Sequence, residues 1–260
     1  MEVNEEGLLV LSATGWEKLD YGTAEEESKY AITGDESQVM TMKLDQGETL
    51  HTEPGVFMYR SGGITADTGY EGCFARCCVG ESCCSVKYTN TGGSNNEVIA
   101  ITPNFPSAKL IPVDLSDPNI GGTLLSQGGA YVAHLGDVEV GMDLDCNPSR
   151  ACCGGTGFIR QELTGTGTAF IEGLGTVVQK LLADDEKIVV DTNCVLAWAK
   201  TVDVSIRRAG TIVGMFGGGE GIFNTVLTGP GLIIVQSFTV DQLHDIIAMR
   251  RGKNKGPQVI

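Results

Sequence analysis

Histidine is scarce. Only His51, His134 and His244 occur in 260 residues, and no two stand at H-x-H or H-E-x-x-H spacing. A histidine-built metal site of the kind found in double-stranded β-helix metalloenzymes therefore has no anchor. Each histidine reads as a surface or satisfied residue. Proline is low at 8, and no G-X-Y period runs through the glycines, which excludes collagen. Basic residues are few: 18 Lys plus Arg stand against 33 Asp plus Glu, for a net charge of -15. Such a field repels phosphate backbones, so nucleic acid is not an expected partner. The one basic cluster, Arg250, Arg251, Lys253 and Lys255, reads as a solvated tail.

Other signals are missing as well. Residues 1–10 carry three glutamates and no Lys or Arg, unlike a secretory leader. Residues 1–29 are acidic, with Lys18 and Lys29 the only basic residues, unlike an Arg-rich mitochondrial presequence. No Asn-x-Ser/Thr acceptor has a permitted middle residue. The expected location is the cytoplasm or another reducing compartment. Residues 221–240 carry no charge over roughly a membrane-spanning length. Thr228-Gly229-Pro230-Gly231 breaks that run, so two strands joined in a hairpin by a tight turn are expected instead. There is no G-x-S-x-G elbow and no S-x-x-K, and no carboxylate pair is singled out for acid/base work. No catalytic residue and no cofactor are expected, and the protein reads as a non-enzyme.

Glycine is abundant, at 36 residues or about 14% against a usual ~7%. The glycines mark an internal repeat. Leu163-Thr164-Gly165-Thr166-Gly167 matches Leu227-Thr228-Gly229-Pro230-Gly231 at an offset of 64 residues. Val138-Glu139-Val140 with Val202-Asp203-Val204, and Ala130-Tyr131-Val132-Ala133 with Cys194-Val195-Leu196-Ala197, keep that offset. An earlier copy precedes the middle one by 74–75 residues: Gly55-Val56-Phe57-Met58 faces Gly129-Ala130-Tyr131-Val132, and Tyr88-Thr89-Asn90 faces Leu163-Thr164-Gly165. The polar run Gly92-Gly93-Ser94-Asn95-Asn96, read as a long hairpin loop, accounts for the wider spacing.

The repeats fall at about 38–103, 108–172 and 176–237. Each opens on a strand (39–44, 110–115, 177–182), passes an acidic turn, and continues through short runs rich in Thr, Val and Ile with period-2 alternation. The fold expected is all-β: three repeats of a short double-stranded β-helix or sandwich type around a pseudo-threefold axis. Residues 30–237 form one domain, 1–29 an N-terminal extension that adds a strand or an arm, and 238–260 a C-terminal helix and basic tail. Leu243, Ile246 and Ile247 give that helix its apolar stripe over residues 241–251. Strands of such units leave edges that closure or association must cover.

Nine cysteines are present, in keeping with free thiols in a reducing compartment. Cys77-Cys78 and Cys83-Cys84 bracket a four-residue spacer, and Cys152-Cys153 lie 75 residues after Cys77-Cys78. Adjacent cysteines on a strand face opposite ways, and the spacer is not that of a zinc knuckle. The simplest role is that of small buried apolar residues, so no metal ligand is assigned. Convergence of Cys77, Cys78, Cys152 and Cys153 on a metal or a small ligand is the alternative. Glycine loops at 154–157 and 217–221 lack a Walker lysine, and Glu220 would repel phosphate, so they read as hairpin loops. Arg160, Arg207 and Arg208 have unlike residues (Lys87, Gln161, Asn224) at nearby repeat positions, so no repeated RNA contact is built.

The pattern YxITGDxSQxMxMxLxxGExxxxExG over residues 30–55 resembles the start of the family called altered inheritance of mitochondria protein 24. Ile111-Pro112-Val113-Asp114-Leu115, Gln127-Gly128-Gly129-Ala130-Tyr131, Val189-Val190-Asp191-Thr192, Gly218-Gly219-Glu220-Gly221 and Leu227-Thr228-Gly229-Pro230-Gly231 continue the likeness over about residues 30–237. The resemblance implies a fold related to the tryptophan RNA-binding attenuation protein, three units per chain, with chains assembling as a homotrimeric ring. It implies no catalytic residues. It also implies a scaffold or assembly role linked to mitochondrial biogenesis or membrane organisation, a protein or membrane-associated partner, and a mitochondrial location as a second option. Compared with the family pattern, this chain is rich in Cys where Leu or Phe is usual.

Overall fold

The computed structural model describes residues 17–18, 29–69, 85–144, 159–208, 223–239 and 242. Most of the described chain is strand, and every strand pairing is antiparallel. After β1 (Glu17–Lys18) and β2 (Tyr30–Thr33), the strands are β3 (Val39–Leu44), β4 (Thr49–Thr52), β5 (Phe57–Arg60), β6 (Ile64–Gly69), β7 (Ser85–Asn90) and β8 (Glu97–Ile101). Next come β9 (Ala108–Asp114), β10 (Thr123–Gln127), β11 (Tyr131–Leu135), β12 (Val138–Leu144), β13 (Ile159–Gly165) and β14 (Thr168–Leu174). The last are β15 (Val177–Leu182), β16 (Lys187–Asp191), β17 (Val195–Ala199), β18 (Asp203–Arg208), β19 (Phe223–Thr228) and β20 (Gly231–Gln236). A one-turn 3-10 helix, Thr192–Cys194, joins β16 to β17.

Four sheets result. Their orders are β2-β3-β8-β5, β6-β7-β4-β11-β14-β9, β1-β15-β20-β17-β10-β13-β12 and β16-β19-β18. Three apolar cores separate them. Met40, Met42, Leu44, Ile99 and Ile101 of the four-stranded sheet pack on Leu50, Ile64, Leu110, Val132 and Phe170 of the six-stranded one. The opposite face of the six-stranded sheet offers Ile111, Val113, Tyr131, Ala169 and Ile171 to Leu124, Leu163, Val177, Leu196 and Ile234 of the seven-stranded sheet. On that sheet's far side Leu125, Leu182, Trp198 and Ile233 meet Val204, Leu227, Ile188 and Val190 of the three-stranded sheet.

The layering explains the two kinds of strand. β3, in the outer four-stranded sheet, alternates partly exposed or exposed with buried residues, as a strand with one covered face does. β14 and β17 lie in sheets covered on both faces and are almost wholly buried, so their sequences TAFIEGL and VLAWA do not alternate. β5, β11 and β17 each shift register by one residue, against β8, β14 and β20. Such a bulge bends the strand and raises its twist.

The Thr-Gly-x-Gly turns correct one expectation. Residues 221–240 do form two strands, but β19 and β20 do not pair with each other. β19 pairs with β16 and β18, while β20 pairs with β15 and β17. The turn at Gly165–Gly167 likewise sends the chain from the seven-stranded sheet (β13) to the six-stranded one (β14). These are corners between layers, not hairpin tips. The glycines serve a close approach: the Asp137 carbonyl accepts from both the Thr166 and the Gly167 amides. A Cβ on Gly165, at φ 142, would lie 2.1 Å from that same oxygen. The run at 92–96 is also a corner, because β7 and β8 belong to different sheets. True hairpins are β2–β3, β6–β7, β12–β13 and β18–β19, so the glycine loops at 154–157 and 217–221 fall between paired strands. Those loops themselves, and the helix expected over 241–251 except for Gln242, lie outside the described residues. In the N-terminal extension, β1 is an added strand paired to β15.

Candidate functional site: two uncovered strand edges

β11 and β17 are apolar and buried; β5 is apolar and exposed. All four residues of β5, Phe57-Met58-Tyr59-Arg60, are exposed, against four of five in β11 and all five in β17 that are buried. The difference lies in what pairs with each strand. β11 has β14 on one side and β4 on the other. β17 has β20 and β10. β5 has β8 alone, and among the described residues no strand lies along its other side. β16 mirrors this: β19 covers one side, and no described strand covers the other.

Five large apolar side chains are exposed among the described residues, and four sit on these two strands: Phe57 43%, Met58 53%, Tyr59 48% and Val189 62%. An open edge presents unpaired N–H and C=O groups, and an apolar one is a template for another strand. Both edges are held in shape locally. The Phe57 ring stacks on Tyr88 at 5.4 Å, and the Arg60 guanidinium donates to the Ile64 carbonyl. At the end of β16 the Asp191 carboxylate accepts from the Asn193 amide at 2.9 Å, capping the 3-10 turn.

Among the described residues, the histidines and the buried titratable groups sit elsewhere. His51 and His134, which fall at unlike repeat positions, are cross-strand partners on β4 and β11, with rings stacked 4.5 Å apart. His134 is buried, and its Nδ1 lies 2.8 Å from the Tyr131 hydroxyl. Their parallel rings do not converge on a point, and no group of three or more metal-binding side chains occurs among the described residues. Arg160 is buried, its guanidinium 5.3 Å from the centre of the Trp198 ring. Arg207 is exposed on β18. Of the nine cysteines only Cys194 lies within the described residues, where burial and then Asp191 push its thiol upward. The paired cysteines at 77–78, 83–84 and 152–153 lie outside them.

Sequence reasoning passed over Glu172. It is buried on β14, and burial pushes its carboxyl up to about 7 despite hydrogen bonds from the Asn104 and Phe105 amides. The Asn104 amide donates to Oε2 at 2.6 Å, while Oε1 has no partner among the described residues. The one hint in the sequence is an acid inside the apolar run TAFIEGL.

The profile of the family described as "Mitochondrial biogenesis AIM24" matches residues 30–238. No curated protein matches the chain. Among solved structures, the crystal structure of protein SPYM3_0169 from Streptococcus pyogenes is similar. Its TM-score is 0.65 at 21% identity, over 85% of this chain and 98% of that one. At that identity the likeness establishes the fold alone.

Proposed function

The chain belongs to the mitochondrial biogenesis AIM24 family, and on that premise we propose that it is a non-enzymatic assembly protein. In this reading it is built of three β units about a pseudo-threefold axis and works as a homotrimeric ring. The ring presents a scaffold to a protein or membrane-associated partner in mitochondrial biogenesis or membrane organisation. The observation that carries the assembly is the pair of apolar, uncovered edges on β5 and β16. A strand as apolar as Phe57-Met58-Tyr59 is soluble and monomeric only at a cost that burial between chains removes.

The recurrence of strand pairings supports three units. Within 39–101, β3–β8, β5–β8, β6–β7 and β4–β7 pair. Within 108–174 the corresponding pairs are β9–β14, β11–β14, β12–β13 and β10–β13. Within 177–236 they are β15–β20, β17–β20, β18–β19 and β16–β19. Three copies per ring is the number that the family resemblance implies.

Native mass spectrometry of the untagged protein tests the reading. A species near three times 27.4 kDa with no added mass is the expected result. A monomer at micromolar concentration would sink the assembly. A trimer with reproducible added mass would move the weight to ligand or metal binding.

A further inference from the structure

We propose that β5 of one copy pairs antiparallel with β16 of the next, with Tyr59 opposite Val190, Arg60 opposite Val189 and Ser61 opposite Ile188. This rests on the assembly reading above and names the surfaces and the register that join the copies.

The sheet orders point to it. The seven-stranded sheet runs β12-β13-β10-β17-β20-β15-β1 when read from its β12 end. Placing the edge of β18-β19-β16 against that of β5-β8-β3-β2 gives β18-β19-β16-β5-β8-β3-β2. The two orders correspond strand for strand: a hairpin, then the strand before the bulged strand, then the bulged strand and its neighbours, with a short N-terminal strand outermost. The three-stranded and four-stranded sheets at the ends of the chain are thus the two parts of one further seven-stranded sheet, divided between copies.

The register follows from the two junctions inside the chain. At the first, β4 meets β11 with Leu50 opposite Leu135, His51 opposite His134 and Thr52 opposite Ala133. At the second, β10 meets β17 with Leu124 opposite Ala199, Leu125 opposite Trp198 and Ser126 opposite Ala197. Equivalent residues are fixed by the partner strands. Leu50, Leu124 and Ile188 stand opposite Tyr88, Leu163 and Leu227. Tyr59, Ala133 and Ala197 each follow the bulge and stand opposite Ala100, Phe170 and Ile234. Carrying the junction over gives the three pairs named. It also places each exposed β5 side chain where its counterparts are covered: Met58 corresponds to Val132 and Leu196, which are 0% and 2% exposed.

The contact is head-to-tail, since β5 and β16 are different surfaces, and such contacts close into rings when the rotation between copies allows. The Glu53 amide donates to the Val132 carbonyl at the first junction. Thr52–Ala133 is therefore a non-hydrogen-bonded pair, and so is its counterpart Val190–Tyr59, whose Cα atoms would lie about 4.5 Å apart.

That spacing suits a disulfide. The test is the double variant Tyr59→Cys, Val190→Cys in the full chain, mildly oxidised and mapped by peptide mass spectrometry so that native cysteines are distinguished. The expected result is an interchain 59–190 disulfide. The offset pair Tyr59→Cys, Ile188→Cys, a diagonal at ~7–8 Å, should link at least about tenfold less. A second measurement needs no substitution: in the assembled wild type, the Val189 and Asp191 amides should exchange with solvent no faster than that of Glu53. If the wild type assembles but residue 59 links elsewhere, or those amides exchange freely, the register is wrong and the assembly stands. If the wild type is monomeric, both fail.

Discussion

Replacing Glu172 by Gln should make the protein more stable at pH 8 and leave it nearly unchanged at pH 4.5. The folded carboxyl is raised from 4.5 to about 7 because burial penalises its charged form. A raised acid binds its proton more tightly in the folded state than in the unfolded chain. Below pH 4.5 both states hold the proton, and the group contributes no penalty. As pH rises from 4.5 to 7 the unfolded chain ionises first, and the folded state loses stability relative to it. Above 7 the loss is complete. At 1.36 kcal/mol for each tenfold change in proton affinity, it amounts to about 3 kcal/mol. Glutamine keeps the oxygen that accepts from the Asn104 amide and carries no charge at any of these pH values. The stability of the variant minus that of the wild type should therefore climb by about 3 kcal/mol between pH 4.5 and pH 8. Taking the difference cancels the other carboxylates. Urea denaturation of both proteins at half-unit pH steps measures it, and at pH 8 thermal melting should show a gain of roughly 6–12 °C. Two parallel pH curves, or a variant less stable than the wild type at pH 8, would refute the argument that Glu172 is a desolvated acid.

Two further substitutions probe the fold. Gly165→Ala sets a Cβ against the Asp137 carbonyl in a left-handed backbone, so a loss of about 3 kcal/mol is expected in denaturant titrations. A wild-type midpoint would show that the corner relaxes freely. Trp198→Ala removes the largest fully buried side chain among the described residues and the ring under Arg160, for a cost of about 3–5 kcal/mol. A loss below about 1 kcal/mol would mean that the core between the seven- and three-stranded sheets does not close on this residue.

The strand Val39–Leu44 was legible because period-2 alternation survives where one face is covered, as in VMTMKL. The offset of 64 residues located the glycine corners to the residue. What those corners join was not legible. A Thr-Gly-x-Gly signal reports that the chain reverses, and says nothing about which sheet receives the next strand. The same gap hid the stacking of His51 on His134. Their unlike repeat positions become neighbours only because β11 lies along β4, a pairing across more than eighty residues of chain. Gly55-Val56-Phe57-Met58 was legible only as the repeat partner of Gly129-Ala130-Tyr131-Val132. The exposure of Phe57 and Met58 depends on a missing neighbour strand, which no local pattern encodes. Glu172 is the reverse case, a charged residue type carried inside by the strand that holds it.

The doubly covered six-stranded sheet has a consequence for synthesis. Its strands come from residues 49 to 174, and the core beneath it needs both Met40 and Phe170. A nascent chain that has emerged only as far as β8 holds β4 and β7 with nothing yet alongside β4 where β11 will lie, and half of its first core is wet. Each new stretch completes the one before it and leaves its own last part unfinished. The protein is therefore assembled like interlocked tiles, with an exposed apolar front that travels along the chain until translation ends. Folding must wait on distant pairings, which makes it slow. Until release, that front is open to the front of a neighbouring nascent chain, and unpaired apolar edges of this kind are prone to aggregate.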